Sequence, residues 1–177
     1  RPKTATDQAI LNGAYLFKKT TKSNLRLLAS GVTLRFAERA AEILQDFEIN
    51  CDLWSITSFN ELAREGLSAE RKELNGKKSE KPYVEKCFEK EIPTLAVSEY
   101  QRLYAEQIRR WVKGKYVCLG TDGFGRSDTR EKLRDFFEID HNHIVYYALI
   151  IANKNKEAIQ FADENKLDLK RENPWQN

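Results

Sequence analysis

At 177 residues the chain has the length of one ordinary domain, enough to bury a core without disulfide or metal support. With 41% hydrophobic and 32% charged residues it reads as a soluble globular domain, and no apolar run reaches the roughly 20 residues of a membrane helix. A net charge of +3 from 30 basic and 27 acidic residues, interspersed in sign, leaves no basic stripe for nucleic acid.

Taken in order, Arg1 to Thr6 are expected to form a loose arm. Asp7 to Asn12 predict a short helix that Gly13 ends, and Ala14 to Lys18 a strand running into the polar turn Lys19 to Asn24. Leu25 to Ala29 read as a buried strand closed by Ser30-Gly31. From Thr33 to Phe47 the apolar residues recur at helical spacing, with Leu34, Ala37, Ala41 and Leu44 in one row. Cys51 to Ile56 is the next strand, and a strand, helix and strand in that order make a right-handed crossover between parallel strands.

Ser58-Phe59-Asn60-Glu61 is a capping box that opens a helix running toward Gly66. Residues 65–81 are dense in charge and are expected to be an exposed excursion, followed by a short helix around Tyr83 to Phe88. Thr94 to Val97 predict a strand, and Ser98-Glu99-Tyr100-Gln101 another capping box. The helix after it carries Tyr100, Leu103, Tyr104, Ile108, Trp111 and Val112 along one face, a stripe that reads as core packing. Tyr116 to Leu119 completes five strands, with Ala14 to Lys18 at an edge.

Between that last strand and the next helix lies Leu119-Gly120-Thr121-Asp122-Gly123-Phe124-Gly125-Arg126-Ser127-Asp128. Its glycines at 120, 123 and 125 match neither the dinucleotide fingerprint nor the P-loop, and Asp122 would repel a phosphate. They predict a tight turn in which the glycines take positive φ and Arg126 and Asp128 fold back on the backbone. Strand ends of open α/β sheets are where ligands and partner subunits sit, which makes this loop the place to look for function.

A capping box over Asp128 to Glu131 opens a helix from which Leu133, Phe136 and Phe137 should face inward. Ile144 to Ala152 suits a strand or a buried helix, and we read it as helix with Asp140 as its cap. Lys156 to Lys166 is a surface helix, and residues 167–177 a polar tail. His141 and His143 diverge on a helix, so no metal site is expected from them. Cys51, Cys87 and Cys118 are odd in number and widely spaced, as buried thiols in a reducing, cytoplasmic compartment would be. GxSxG, HExxH and Walker motifs are absent, and the domain by itself is expected to be non-catalytic. The chain contains no methionine and begins Arg1-Pro2-Lys3, from which we expect a processed chain or a piece of a longer one.

The stretches Leu28 to Leu34, Trp54 to Glu65, Ala69-Glu70-Arg71, Ser98 to Arg109 and above all Leu119 to Arg130 carry a family likeness. From about Gln8 to Asp140 the chain resembles the carboxyl-terminal domain of the homodimeric, thiamin diphosphate-dependent first component of bacterial pyruvate dehydrogenase complexes, a transketolase-like enzyme. The resemblance implies a three-layer α/β/α domain with a five-stranded, mostly parallel mixed sheet. It implies a parent that decarboxylates pyruvate and reductively acetylates lipoyl groups of the acyltransferase core. The family motifs that hold thiamin diphosphate and Mg²⁺ lie in other domains and are absent here, so no catalytic, cofactor-binding or metal residue is carried over. The implied role is architectural, with the upstream domains, the dimer partner and the lipoyl acyltransferase as partners. Asp122, Arg126, Ser127 and Asp128 are the residues expected at an inter-domain or inter-subunit contact. The chain departs from the family at Lys72 to Lys77, where a tryptophan and a His-Pro turn are expected after Glu70-Arg71.

Overall fold

The computed structural model describes residues 2–176. After a short helix α1 (Asp7–Leu11), five strands, β1 (Ala14–Lys18), β2 (Leu25–Ser30), β3 (Cys51–Ile56), β4 (Thr94–Val97) and β5 (Tyr116–Leu119), form one sheet in the order β1-β3-β2-β4-β5. β3, β2, β4 and β5 run parallel, and β1 pairs antiparallel with β3 at the edge. The strands lie where the sequence places them, with β2 one residue longer through Ser30.

Both faces of the sheet are covered, which is why β2 is buried at five successive positions instead of at alternate ones. Leu25, Leu27 and Ala29 pack on one side with α2 (Thr33–Leu44), α7 (His141–Ile151) and α8 (Asn155–Glu164). On the other side Leu28 joins residues of α3 (Phe59–Leu74), α4 (Tyr83–Cys87) and α5 (Arg102–Glu106). The β2-α2-β3 unit is the expected crossover, and the result is the three-layer mixed sheet anticipated above.

Three helical expectations are corrected. α3 does not stop near Gly66 but runs to Leu74, so the excursion begins at residue 75 instead of 65. Residues 67–74 are mostly good helix formers, Ala69 is buried, and a Cβ on Gly66 would stand 2.6 Å from the Trp111 indole, which occupies that space instead. The Ser58 hydroxyl accepts from the Glu61 amide at 3.1 Å, as the capping box requires. Ser58→Ala is therefore expected to cost about 1 kcal/mol, measured as a shift in the urea midpoint with unchanged slope.

The second correction concerns α5, which is only five residues long and begins at Arg102. Ser98 does not cap it; its hydroxyl accepts from the Tyr100 amide at 3.0 Å and shapes the turn before the helix. Ile108, Trp111 and Val112 of the expected stripe are buried, but Tyr100, Leu103 and Tyr104 are exposed. The stripe breaks because the helix ends at Glu106 and a 3₁₀ turn over Arg109–Trp111 redirects the chain.

Third, α6 (Arg130–Phe136) is capped by Thr129, whose hydroxyl accepts from the Lys132 amide at 3.4 Å. Asp128 stands outside the helix and accepts from the Thr129 amide at 2.7 Å. Leu133, Phe136 and Phe137 are half-buried rather than core. Phe136 instead lies beneath the Arg126 guanidinium, whose carbon is 4.3 Å from the ring centre. Over residues 140–152 the helix reading holds: Asp140 accepts from the His143 amide at 3.0 Å and α7 follows.

Both ends are tied down. The Thr4 hydroxyl donates to the Leu16 carbonyl and Ala5 is buried, so residues 2–6 are not a loose arm; Arg1 lies outside the described residues. In the tail, Arg171 donates to the Asp135 carbonyl at 2.7 Å and its side-chain Oδ2 at 2.8 Å. Residues 174–176 make a further 3₁₀ turn, and Asn177 lies outside the described residues.

Candidate functional site: the carboxyl edge of the sheet

β2 connects to β3 on one side of the sheet, and the chain returns past β2 to form β4 on the other. The connections thus reverse between β2 and β4, and the crevice outside their carboxyl ends is the geometric place for a site. There Ser30 donates to the Ser98 hydroxyl at 3.3 Å, and Thr33 donates to the Ser30 carbonyl at 2.7 Å. At the amino end of α2 a Cβ on Gly31 would meet the Glu99 carboxylate at 3.0 Å.

The β5-α6 loop is fastened to the β4-α5 loop. The Thr121 amide donates to the Tyr100 carbonyl at 3.0 Å and its hydroxyl to the Glu99 carbonyl at 2.8 Å. Asp122 accepts from the Arg102 amide at 2.9 Å and forms an ion pair with the Arg102 guanidinium. Of the three loop glycines only Gly123 takes a left-handed conformation, with φ near +97°. Gly120 is required by close approach instead: a Cβ there would lie 2.5 Å from the Tyr100 carbonyl oxygen and 2.7 Å from the Arg102 nitrogen.

The sequence places Asp122, Arg126, Ser127 and Asp128 together as a contact, and the structure divides them. Asp122 is the fastener between loops. Arg126, Ser127 and Asp128 line a separate shallow cleft with Lys132, Leu133 and Phe136. Arg126 does not meet Asp128 but stacks on Phe136, while Asp128 reaches Lys132 at 3.7 Å. Phe124, at the tip between the two groups, is 79% exposed.

What sequence reasoning missed is the apolar surface beside these loops. Tyr100 and Leu103 are 68% and 69% exposed, and the Tyr104 ring lies against that of Tyr100, tilted by 48° with ring centres 5.4 Å apart. Leu103 and Tyr104 border a groove of about 660 Å³ between α3 and α5, with Ala63 and Leu67 on its far wall. Spacing of three and four residues marks a helix face without telling what covers it, and the same signal serves core and docking surface alike.

The edge does not fit a thiamin diphosphate site. Glu99 fronts the amino end of α2 and Asp122 accepts from the Arg102 amide, so carboxylates stand where an anionic diphosphate would need donors. The cysteines offer no nucleophile: burial, aided by Asp52, pushes the Cys51 thiol up to about 12, and burial raises Cys87 to about 11. Burial likewise drives Cys118 far above the ordinary thiol range.

A parallel sheet with one antiparallel edge strand, helices on both faces and a reversal at β2/β4 defines a doubly wound α/β domain. The chain belongs to the transketolase-like TK C-terminal domain family, whose model matches residues 13–140. It is 49% identical over 151 residues to a pyruvate dehydrogenase E1 component of Pseudomonas aeruginosa, covering 81% of this chain and 17% of that protein. Against the pyruvate dehydrogenase E1 component of Buchnera aphidicola subsp. Acyrthosiphon pisum it is 44% identical over 156 residues, covering 84% of this chain and 18% of the relative. The chain thus spans under a fifth of the length of these two relatives. Among solved structures, transketolase from Campylobacter jejuni superposes with a TM-score of 0.59 at 20% identity, over 84% of this chain and 20% of that one, a likeness of fold.

Proposed function

We propose that this chain is the carboxyl-terminal domain of a pyruvate dehydrogenase first component and that it serves the assembly of that enzyme rather than its chemistry. The observation that carries this reading is the 49% identity over 151 residues to a protein of that name, of which they form 17%. In the parent, thiamin diphosphate and Mg²⁺ are held by domains outside this chain, and the homodimer decarboxylates pyruvate and acetylates lipoyl groups of the acyltransferase in the cytoplasm. The exposed Tyr100, Leu103 and Tyr104 and the loop residues Asp122, Arg126, Ser127 and Asp128 form the face that meets the upstream domains of the same chain. Exposed aromatic and aliphatic side chains beside a polar loop support this, since contact removes their area from water.

The test combines titration and reconstitution. The chain alone should give no heat with thiamin diphosphate and Mg²⁺, and pyruvate decarboxylation should appear or rise on mixing with separately produced amino-terminal and middle domains of the Pseudomonas relative. Changing Tyr100, Leu103 and Tyr104 together to Ser should weaken that reconstitution at least about tenfold with unchanged melting temperature. Cofactor binding by the chain alone would overturn the architectural reading. Partner binding in a full parent that never engages the upstream domains would replace it with an independent interaction module.

A further inference from the structure

On the flank formed by α6 and α7, Asp135, Asp140 and His143 each offer one ligand atom, and the three atoms lie within 4.8 Å of one another. What distinguishes this group from the acidic clusters common on protein surfaces is the imidazole: His143 is only 3% exposed and its ring faces the two carboxylates. We propose that the cluster is a binding site for a first-row divalent cation of the Zn²⁺ type, with the tail residue Arg171 as its latch.

The donor set is one imidazole nitrogen and two carboxylate oxygens, which suits Zn²⁺ with water as a fourth ligand. Zn–N and Zn–O bonds of about 2.0–2.2 Å put neighbouring tetrahedral ligands roughly 3.3 Å apart. His143 Nδ1 and Asp140 Oδ1 already stand 3.1 Å apart. Asp140 is further oriented by accepting from the His143 amide at 3.0 Å, the kind of outer bond that fixes a ligating carboxylate. The imidazole coordinates through Nδ1 as the tautomer that carries its proton on Nε2, so the contact between Nδ1 and Asp140 Oδ1 gives way to coordination of both atoms.

Asp135 is the ligand that must move. Its side chain is 47% exposed and holds the Arg171 guanidinium at 2.8 Å, so cation and guanidinium compete for one carboxylate. Arg171 keeps three anchors when it yields, the Asp135 carbonyl at 2.7 Å, the Asp168 carboxylate at 3.8 Å and the Phe136 ring at 5.9 Å. Metal binding is thereby coupled to the attachment of the tail, a relation independent of the assembly role above.

The experiment is calorimetric titration of the chain with Zn²⁺, paired with Co²⁺ absorption spectra to identify the ligands. One saturable site per chain is expected, with Co²⁺ spectra free of thiolate charge-transfer bands. Asp135→Asn should weaken binding at least about tenfold, and Arg171→Gln should tighten it, a gain that a merely structural ion pair would not produce. Asp135 is half-exposed, so its variant keeps the test valid even where His143→Gln fails to fold. No saturable binding, affinity unchanged in Asp135→Asn, or a thiolate band that places the ion on a cysteine would each overturn the proposal.

Discussion

Gly120→Val is expected to lower the melting temperature by roughly 10 °C, the equivalent of about 3 kcal/mol in a chain of this length. The added Cβ would sit 2.5 Å from the Tyr100 carbonyl oxygen and 2.7 Å from the Arg102 nitrogen. Both are backbone atoms in a loop held by Thr121 and Asp122, so neither can rotate aside as a side-chain tip would. The loop must open, which breaks the Thr121-Tyr100 hydrogen bond and the Asp122-Arg102 pairing together. Gly125→Ala is the control: no atom lies within 4 Å of its Cβ and its φ is outside the left-handed region, so a change under about 0.5 kcal/mol is expected. Thermal melts of both variants decide the matter, and equal shifts would refute the close-approach argument.

Arg26→Met should cost a similar amount, about 3 kcal/mol, by a different route. Arg26 lies within β2 and is 3% exposed, so its guanidinium is removed from water and its pKa falls to about 10 through burial, partly offset by Asp52. It remains charged at neutral pH because the site is built for it. One nitrogen donates to the Thr94 hydroxyl and another to the Lys90 carbonyl, each at 2.8 Å, and the group lies 5.3 Å from the centre of the Phe88 ring. Methionine fills much of the volume but leaves the Lys90 carbonyl without this donor in a largely apolar layer. Denaturant unfolding of Arg26→Met and Arg26→Lys should show both destabilised, since lysine supplies charge without the planar fork that reaches both acceptors. A neutral result for methionine would mean that the charge is tolerated there rather than useful.

Much of the fold was legible without coordinates because strand signals are local. Mainly apolar runs of four to six residues bounded by Gly, Pro and polar turns pointed to strands, and the intervening 3.6-residue pattern from Thr33 pointed to a parallel crossover. Capping residues worked where the side chain had a helix to serve, as Ser58 and Asp140 do. They misled at Ser98 and Asp128, where the same residue types stabilise a turn and an adjacent amide instead.

The amino-acid sequence by itself determined the five strands, the parallel crossover, the burial of Cys51 and Cys118 and the family, all of which rest on residue type and short-range order. Tertiary structure alone decided that α3 continues past Gly66 beneath Trp111, that Tyr100 and Leu103 face outward, and that Arg126 seeks Phe136 rather than Asp128. It also decided that Asp135, Asp140 and His143 converge with Arg171 from a tail some thirty residues on. The physical reason is common to all four: periodicity and capping specify what a segment prefers, whereas the partner that covers a given face or carboxylate is chosen by packing between segments distant in the chain.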